Sequence, residues 1–155
     1  MIDMKLEQIV TSLEISKKIK EINFCKKSIF SYYRNSLGSI YVAETNLKSN
    51  EDDFVCFCYT FSELLSFLPY SLDVNSDTYV ADGRTYRKIG KSDYAILDFI
   101  KIDEDDYVVK YAYEGSVIAF RQNSQGEYCN LLQFGKTEMD CLANIMLLLI
   151  EEEKM

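Results

Sequence analysis

Asp103, Glu104, Asp105 and Asp106 put four carboxylates in a row, and Glu51, Asp52 and Asp53 form a second, shorter acidic stretch. Carboxylates packed this closely offer two kinds of chemistry: coordination of a hard cation, or attraction of a basic surface. As a calcium loop the 103–106 run is incomplete, lacking the turn glycine and the terminal glutamate of an EF-hand. It reads as a solvated turn whose side chains reach outward. Asp98 is a different case. It interrupts the apolar alternation of Tyr94, Ile96, Ile100 and Ile102. If that face is buried, Asp98 needs a partner or a raised pKa; otherwise it faces water at a sheet margin. Cys56 and Cys58 sit two apart on an expected strand, so they point to one face. A metal site would need two more soft ligands, and the chain has no histidine to give one. The pair reads as two small buried hydrophobes.

The missing residue types exclude more than the present ones suggest. Without histidine, Ser-His-Asp and Cys-His nucleophile systems in their usual form are ruled out, as are His-ligated zinc sites. No glycine-rich phosphate loop and no GxSxG nucleophile elbow occurs. The expectation is a protein that is not an enzyme, with no catalytic residue, no cofactor and no metal.

Charge points toward partners instead. Residues 1–35 carry seven Lys/Arg against four Asp/Glu, a balance of +3, and residues 36–155 carry ten against twenty-one, a balance of −11. Such a surface repels phosphate backbones, so direct nucleic-acid binding is not expected, whereas a basic groove on another protein would attract it. No apolar run reaches the roughly 18 residues of a membrane span. The first residues show no basic and apolar signal pattern. The five cysteines are an odd number with no CxxC pair. These observations together predict a cytoplasmic protein with free thiols and no membrane contact.

Periodicity supplies the elements that would hold these groups. The pattern Thr11-Ser12-Leu13-Glu14 reads as a capping box opening a helix over 12–23, with Ile15, Ile19 and Ile22 as its apolar stripe. Aromatic and β-branched runs over 28–34 and 39–44 read as a hairpin, and 54–59 as a third strand. Thr60-Phe61-Ser62-Glu63 is a second capping box, whose short helix Pro69 terminates. Asp82-Gly83 suits a two-residue type I′ turn between strands at 79–81 and 84–86. Strands at 94–102 and 107–113 flank the acidic turn, and 117–121 and 127–134 extend the sheet. A helix over 138–152, capped by Thr137 with Asp140 three residues on, closes the chain. The short connections favour antiparallel pairing. The fold class expected is α+β: one domain, an antiparallel sheet with N-terminal, short central and C-terminal helices packed on it. The expected core joins Ile15, Ile19, Leu64, Leu68, Ile96, Phe99, Leu142 and Met146. Tyr107, Val109, Tyr111 and Tyr113 alternate onto one face of their strand, so the tyrosines are either core or a contact surface.

Three stretches carry a resemblance: Gln8 through Glu21 (QIVTSLEISKKIKE), Tyr59 through Pro69 (YTFSELLSFLP) and Lys136 through Glu151. In order and character they resemble small accessory proteins of bacteriophages and integrated mobile elements, with an opening helix, a central "ft.aELl.lLP" segment and a closing helix. The likeness covers about a quarter of the chain and departs at 71–93, where a hairpin reads as inserted. It brings no site residues and implies a phage or mobile-element context in a bacterial host. The functional expectation is a non-catalytic acidic protein that binds a protein partner with a basic surface. Its specific form is an inhibitor of a host defence nuclease, acting as an anti-CRISPR or nucleic-acid mimic does. The candidate contact residues are Glu51, Asp52, Asp53, Asp103, Glu104, Asp105, Asp106, Tyr107, Tyr111 and Tyr113. The alternative is a structural or regulatory phage protein that forms a homodimer through its aromatic sheet face.

Overall fold

The computed structural model describes residues 5–24, 26–45, 52–74, 78–88, 93–113, 117–122, 125 and 127–153. The fold is α+β. After a 3-10 turn at Leu6–Gln8 comes α1 (Leu13–Glu21), then β1 (Phe30–Arg34), β2 (Ile40–Glu44) and β3 (Asp53–Cys58), and α2 (Phe61–Phe67). Eight further strands follow: β4 (Ser71–Val74), β5 (Thr78–Ala81), β6 (Arg84–Lys88), β7 (Asp93–Asp103), β8 (Asp106–Ala112), β9 (Ile118–Gln122), β10 (Tyr128–Asn130) and β11 (Leu132–Gly135). The last element is α3 (Glu138–Glu153).

The strands form two sheets rather than the single one expected. The smaller has the order β2-β1-β3 and is wholly antiparallel. The larger runs β4-β7-β8-β9-β6-β5, with β11 also paired to β8 and β10 to β9. The pairing is antiparallel, as the short connections favour, except between β6 and β9, which are parallel. That pairing joins strands distant in sequence, so short connections give no hint of it. Leu131 links the two halves of the last strand segment. Its N–H donates to the Ala119 carbonyl at 2.8 Å, and its own carbonyl accepts from the Tyr111 N–H at 3.0 Å.

Local chemistry sets the helix ends. The N-cap of α1 is Ser12, whose Oγ accepts the Ile15 N–H at 3.3 Å. Thr11, read from sequence as the cap, is instead fully buried. It exchanges hydrogen bonds with the backbone of Tyr59, and its carbonyl accepts from Tyr32 Oη at 2.9 Å. Asn23 closes α1 with φ 58°, and the Asn23 and Phe24 N–H groups return to the carbonyls of Lys20 and Ile19. This is a Schellman closure, in which asparagine tolerates the left-handed residue. Thr60 and Glu63 form the expected capping box on α2. Glu63 also accepts from Ser28 Oγ at 2.8 Å, so one carboxylate ties α2 to the segment entering β1. Asp82 and Gly83 both have positive φ, 51° and 72°, as a type I′ turn requires.

The core centres on α3, which is apolar nearly all round. Met139, Cys141, Leu142, Ala143, Ile145, Met146, Leu147, Leu149 and Ile150 are buried. A helix of that kind must be covered on more than one side. It packs on β8 and β11 with one side and on α1 and α2 with another, while α1 in turn packs on β3. Of the expected core, Ile15, Ile19, Leu64, Leu68, Leu142 and Met146 are buried, and Phe99 is half-buried against the same cluster. Ile96 is the exception, 43% exposed. It points to the face of the larger sheet on which none of the described helices packs.

Candidate functional site

The acidic turn is built by the longest strand pairing among the described residues. Strands β7 and β8 are matched from Ile96↔Ala112 to Asp103↔Asp106, with an irregularity between Lys101 and Asp103. Glu104 and Asp105 form the turn itself, and Asp103 Oδ1 accepts the Glu104 N–H at 2.8 Å. Asp103, Glu104, Asp105 and Asp106 are all exposed, and none pairs with a cationic side chain among the described residues. The turn borders a depression of about 430 Å³, where Glu104 and Asp105 share the lining with Thr60 and Ser62 at the start of α2 and with Lys136, Thr137 and Glu138 at the start of α3. Helix N-termini carry partial positive charge, which moderates the crowding of like charges on that side.

The other acidic stretch is arranged differently. Glu51 lies outside the described residues. Asp52 accepts a short hydrogen bond from Tyr41 Oη, which raises the tyrosine's ionisation above its ordinary range. Asp53 is exposed and stands across the strand pair from Arg34. Asp52 is therefore engaged within the molecule, and the two acidic stretches are not equivalent.

The tyrosine row is core. Tyr107 is buried and stacks on Phe99, with ring centroids 5.7 Å apart. Tyr111 is fully buried, donates to the Pro69 carbonyl at 2.6 Å, and has its ionisation raised by burial, with Arg121 opposing. Tyr113 is half-buried, and the Arg87 guanidinium sits 4.7 Å from its ring centre. Tyr107 and Tyr111 belong to the core cluster that contains α3, which leaves them little surface for a partner, whereas Tyr113 is half-buried at its border. The physical reason is α3, whose second apolar side takes this face of β8.

Asp98 lies on the opposite face. It is half-buried and stands directly across from Lys110, yet the two do not form an ion pair. Ile96, Ile100 and Ile102 share its face and are exposed; Tyr94 lies outside the described side chains. Between this face and the β5–β6 hairpin runs a groove of about 460 Å³, lined among others by Arg84, Ile102, Val108, Lys110, Leu132 and Phe134. Sequence reading missed it, although one signal was present: Val108, Lys110 and Ala112 alternate with the tyrosines.

Cys56, Cys58 and Cys141 are buried free thiols, and burial pushes each toward the neutral form, Cys141 up to about 12. A neutral thiol is a weak nucleophile and a poor metal ligand. Cys25 lies outside the described residues. Among the described residues no three of Cys, Asp and Glu stand close enough to hold a metal ion. No described helix is long and apolar enough to cross a membrane. No family model matches the chain, and comparison with curated proteins and with solved structures returns no match.

Proposed function

We propose that this chain is a non-catalytic binding protein that presents the β7–β8 turn to a basic surface on a protein partner. The observation that carries the reading is the exposure of four consecutive carboxylates at one hairpin tip, with no cationic side chain paired to them among the described residues. Charge of this kind steers encounter with a positively charged groove. The likeness of the helical stretches to phage and mobile-element accessory proteins suggests a bacterial cytoplasm as the setting. A host defence nuclease with a basic nucleic-acid channel is the partner class that fits an acidic mimic. Direct nucleic-acid binding and metal-dependent catalysis have no part in this reading. The test compares the wild type with a variant carrying Asn or Gln at 103–106. Purified bacterial defence nucleases are assayed for binding and for loss of cleavage. Inhibition by the wild type that the variant lacks supports the reading; no binding across the panel, or equal inhibition by both, contradicts it.

A second reading, self-association, draws support from the exposed Ile96, Ile100 and Ile102 on the helix-free face rather than from the tyrosines. Sedimentation over a range of concentrations tests it, and a monomer throughout removes it.

A further inference from the structure

We propose that the groove between the β5–β6 hairpin and the helix-free face of the larger sheet is a binding site for a single-chain aliphatic carboxylate. Its volume, about 460 Å³, lies within the roughly 300–1,000 Å³ of small-ligand sites. Val108 and Ile118 are buried and Leu132 is half-buried on its apolar floor, and Ile102 and Phe134 also line it, 59% and 53% exposed. An aliphatic chain laid along these residues would remove that apolar surface from water.

The charges point to the head group. In a chain of net charge −8, the described residues that line the groove include two cations, Arg84 from the hairpin and Lys110 from β8, and no acidic residue. Neither cation forms an ion pair with a described residue, even though Asp98 stands directly across from Lys110. Lys110 is half-buried, and a ligand carboxylate in the groove would give its ammonium a charged partner. Thr85 adds a hydroxyl to the same lining. Two cations over an apolar floor match one anionic head on an apolar body. Phe134 is the only aromatic side chain among the described residues of the lining, which gives a planar base no second described ring to stack on.

The probe is decanoate at pH 8, kept below its aggregation concentration and titrated calorimetrically. Saturable one-to-one binding is expected, weakened about tenfold or more in the Arg84→Gln/Lys110→Gln protein and for decanol in place of decanoate. Arg84 is exposed, so the single Arg84→Gln variant keeps its fold and should weaken binding in the same direction. Equal affinity for decanol and decanoate, no saturable binding, or binding only to phosphatidylserine vesicles would overturn the proposal. The site is independent of the acidic turn: a variant neutralised at 103–106 should bind decanoate as the wild type does.

Discussion

Asp140, in the first turn of α3, accepts the backbone N–H of Ser12, the N-cap of α1, on Oδ1 at 2.8 Å. In a capping box this bond comes from a carboxylate three residues into the same helix. Here the last helix supplies it to the first across 128 positions of sequence. Glu14, the residue the sequence pattern nominates, is exposed and pairs with Lys18 instead. Asp140→Ala should therefore cost about 1–2 kcal/mol, within the range of cap and charge-assisted bonds, while Glu14→Ala should change stability by less than about 0.5 kcal/mol. Urea unfolding midpoints of the two variants check the contrast.

Leu142 and Ile96 were both expected in the core, and the structure separates them. Leu142 is fully buried between the larger sheet and the other helices, so Leu142→Ala should cost roughly 2–5 kcal/mol. Ile96 faces outward, and Ile96→Ala should stay within about 0.5–1 kcal/mol of the wild type. Similar losses for both in denaturant titration would mean that the helix-free face is covered.

Gly135 marks a close approach of β11 to α3. A Cβ there would lie 2.4 Å from the Cys141 backbone nitrogen and 2.5 Å from its Cα. Backbone atoms of a packed helix cannot yield as a side chain does. Gly135→Ala should destabilise by about 1–3 kcal/mol as an overpacked site. Thermal unfolding of the variant is the measurement, and an unchanged midpoint would count against the seating of α3 on β11.

Alkaline pH should destabilise the fold. Burial raises the ionisation of Cys56, Cys58, Cys141, Tyr32 and Tyr111 in the folded state. The unfolded chain then loses these protons first, at about 8.5 for thiols and about 10 for tyrosines. Their contribution is complete below the unfolded values and is lost as pH rises through the folded ones. The unfolding midpoint should hold steady from about pH 6 to 8 and fall progressively above about pH 9. A midpoint that is flat to about pH 11 would show that these groups titrate normally in the folded protein.

Local rules explain what was legible in the sequence. The Thr60–Glu63 box, the Asp82–Gly83 turn and the Ile15–Ile19 stripe are set by neighbours a few residues away, and each appears where expected. What sequence could not supply was the side on which each sheet face is covered. Strand β8 alternates two usable faces, Tyr107, Val109 and Tyr111 on one and Val108, Lys110 and Ala112 on the other. Which face is core depends on α3, a helix that binary patterning describes as a stripe but that is buried on nearly all sides. The candidate site divides the same way. Exposure of the 103–106 turn follows from its own composition, whereas the engagement of Asp52 by Tyr41 and the placing of Arg84 and Lys110 along one groove depend on tertiary structure.

The central claim is that the 103–106 turn steers a basic partner, and association kinetics tests it most directly. Asp103, Glu104, Asp105 and Asp106 are replaced with Asn or Gln, and the association rate with a nuclease that the wild type binds is measured against ionic strength. Rim charges act mainly on encounter. The account predicts a slower association, a shallower salt dependence and little change in dissociation rate. An unchanged association rate with an unchanged salt slope would contradict it.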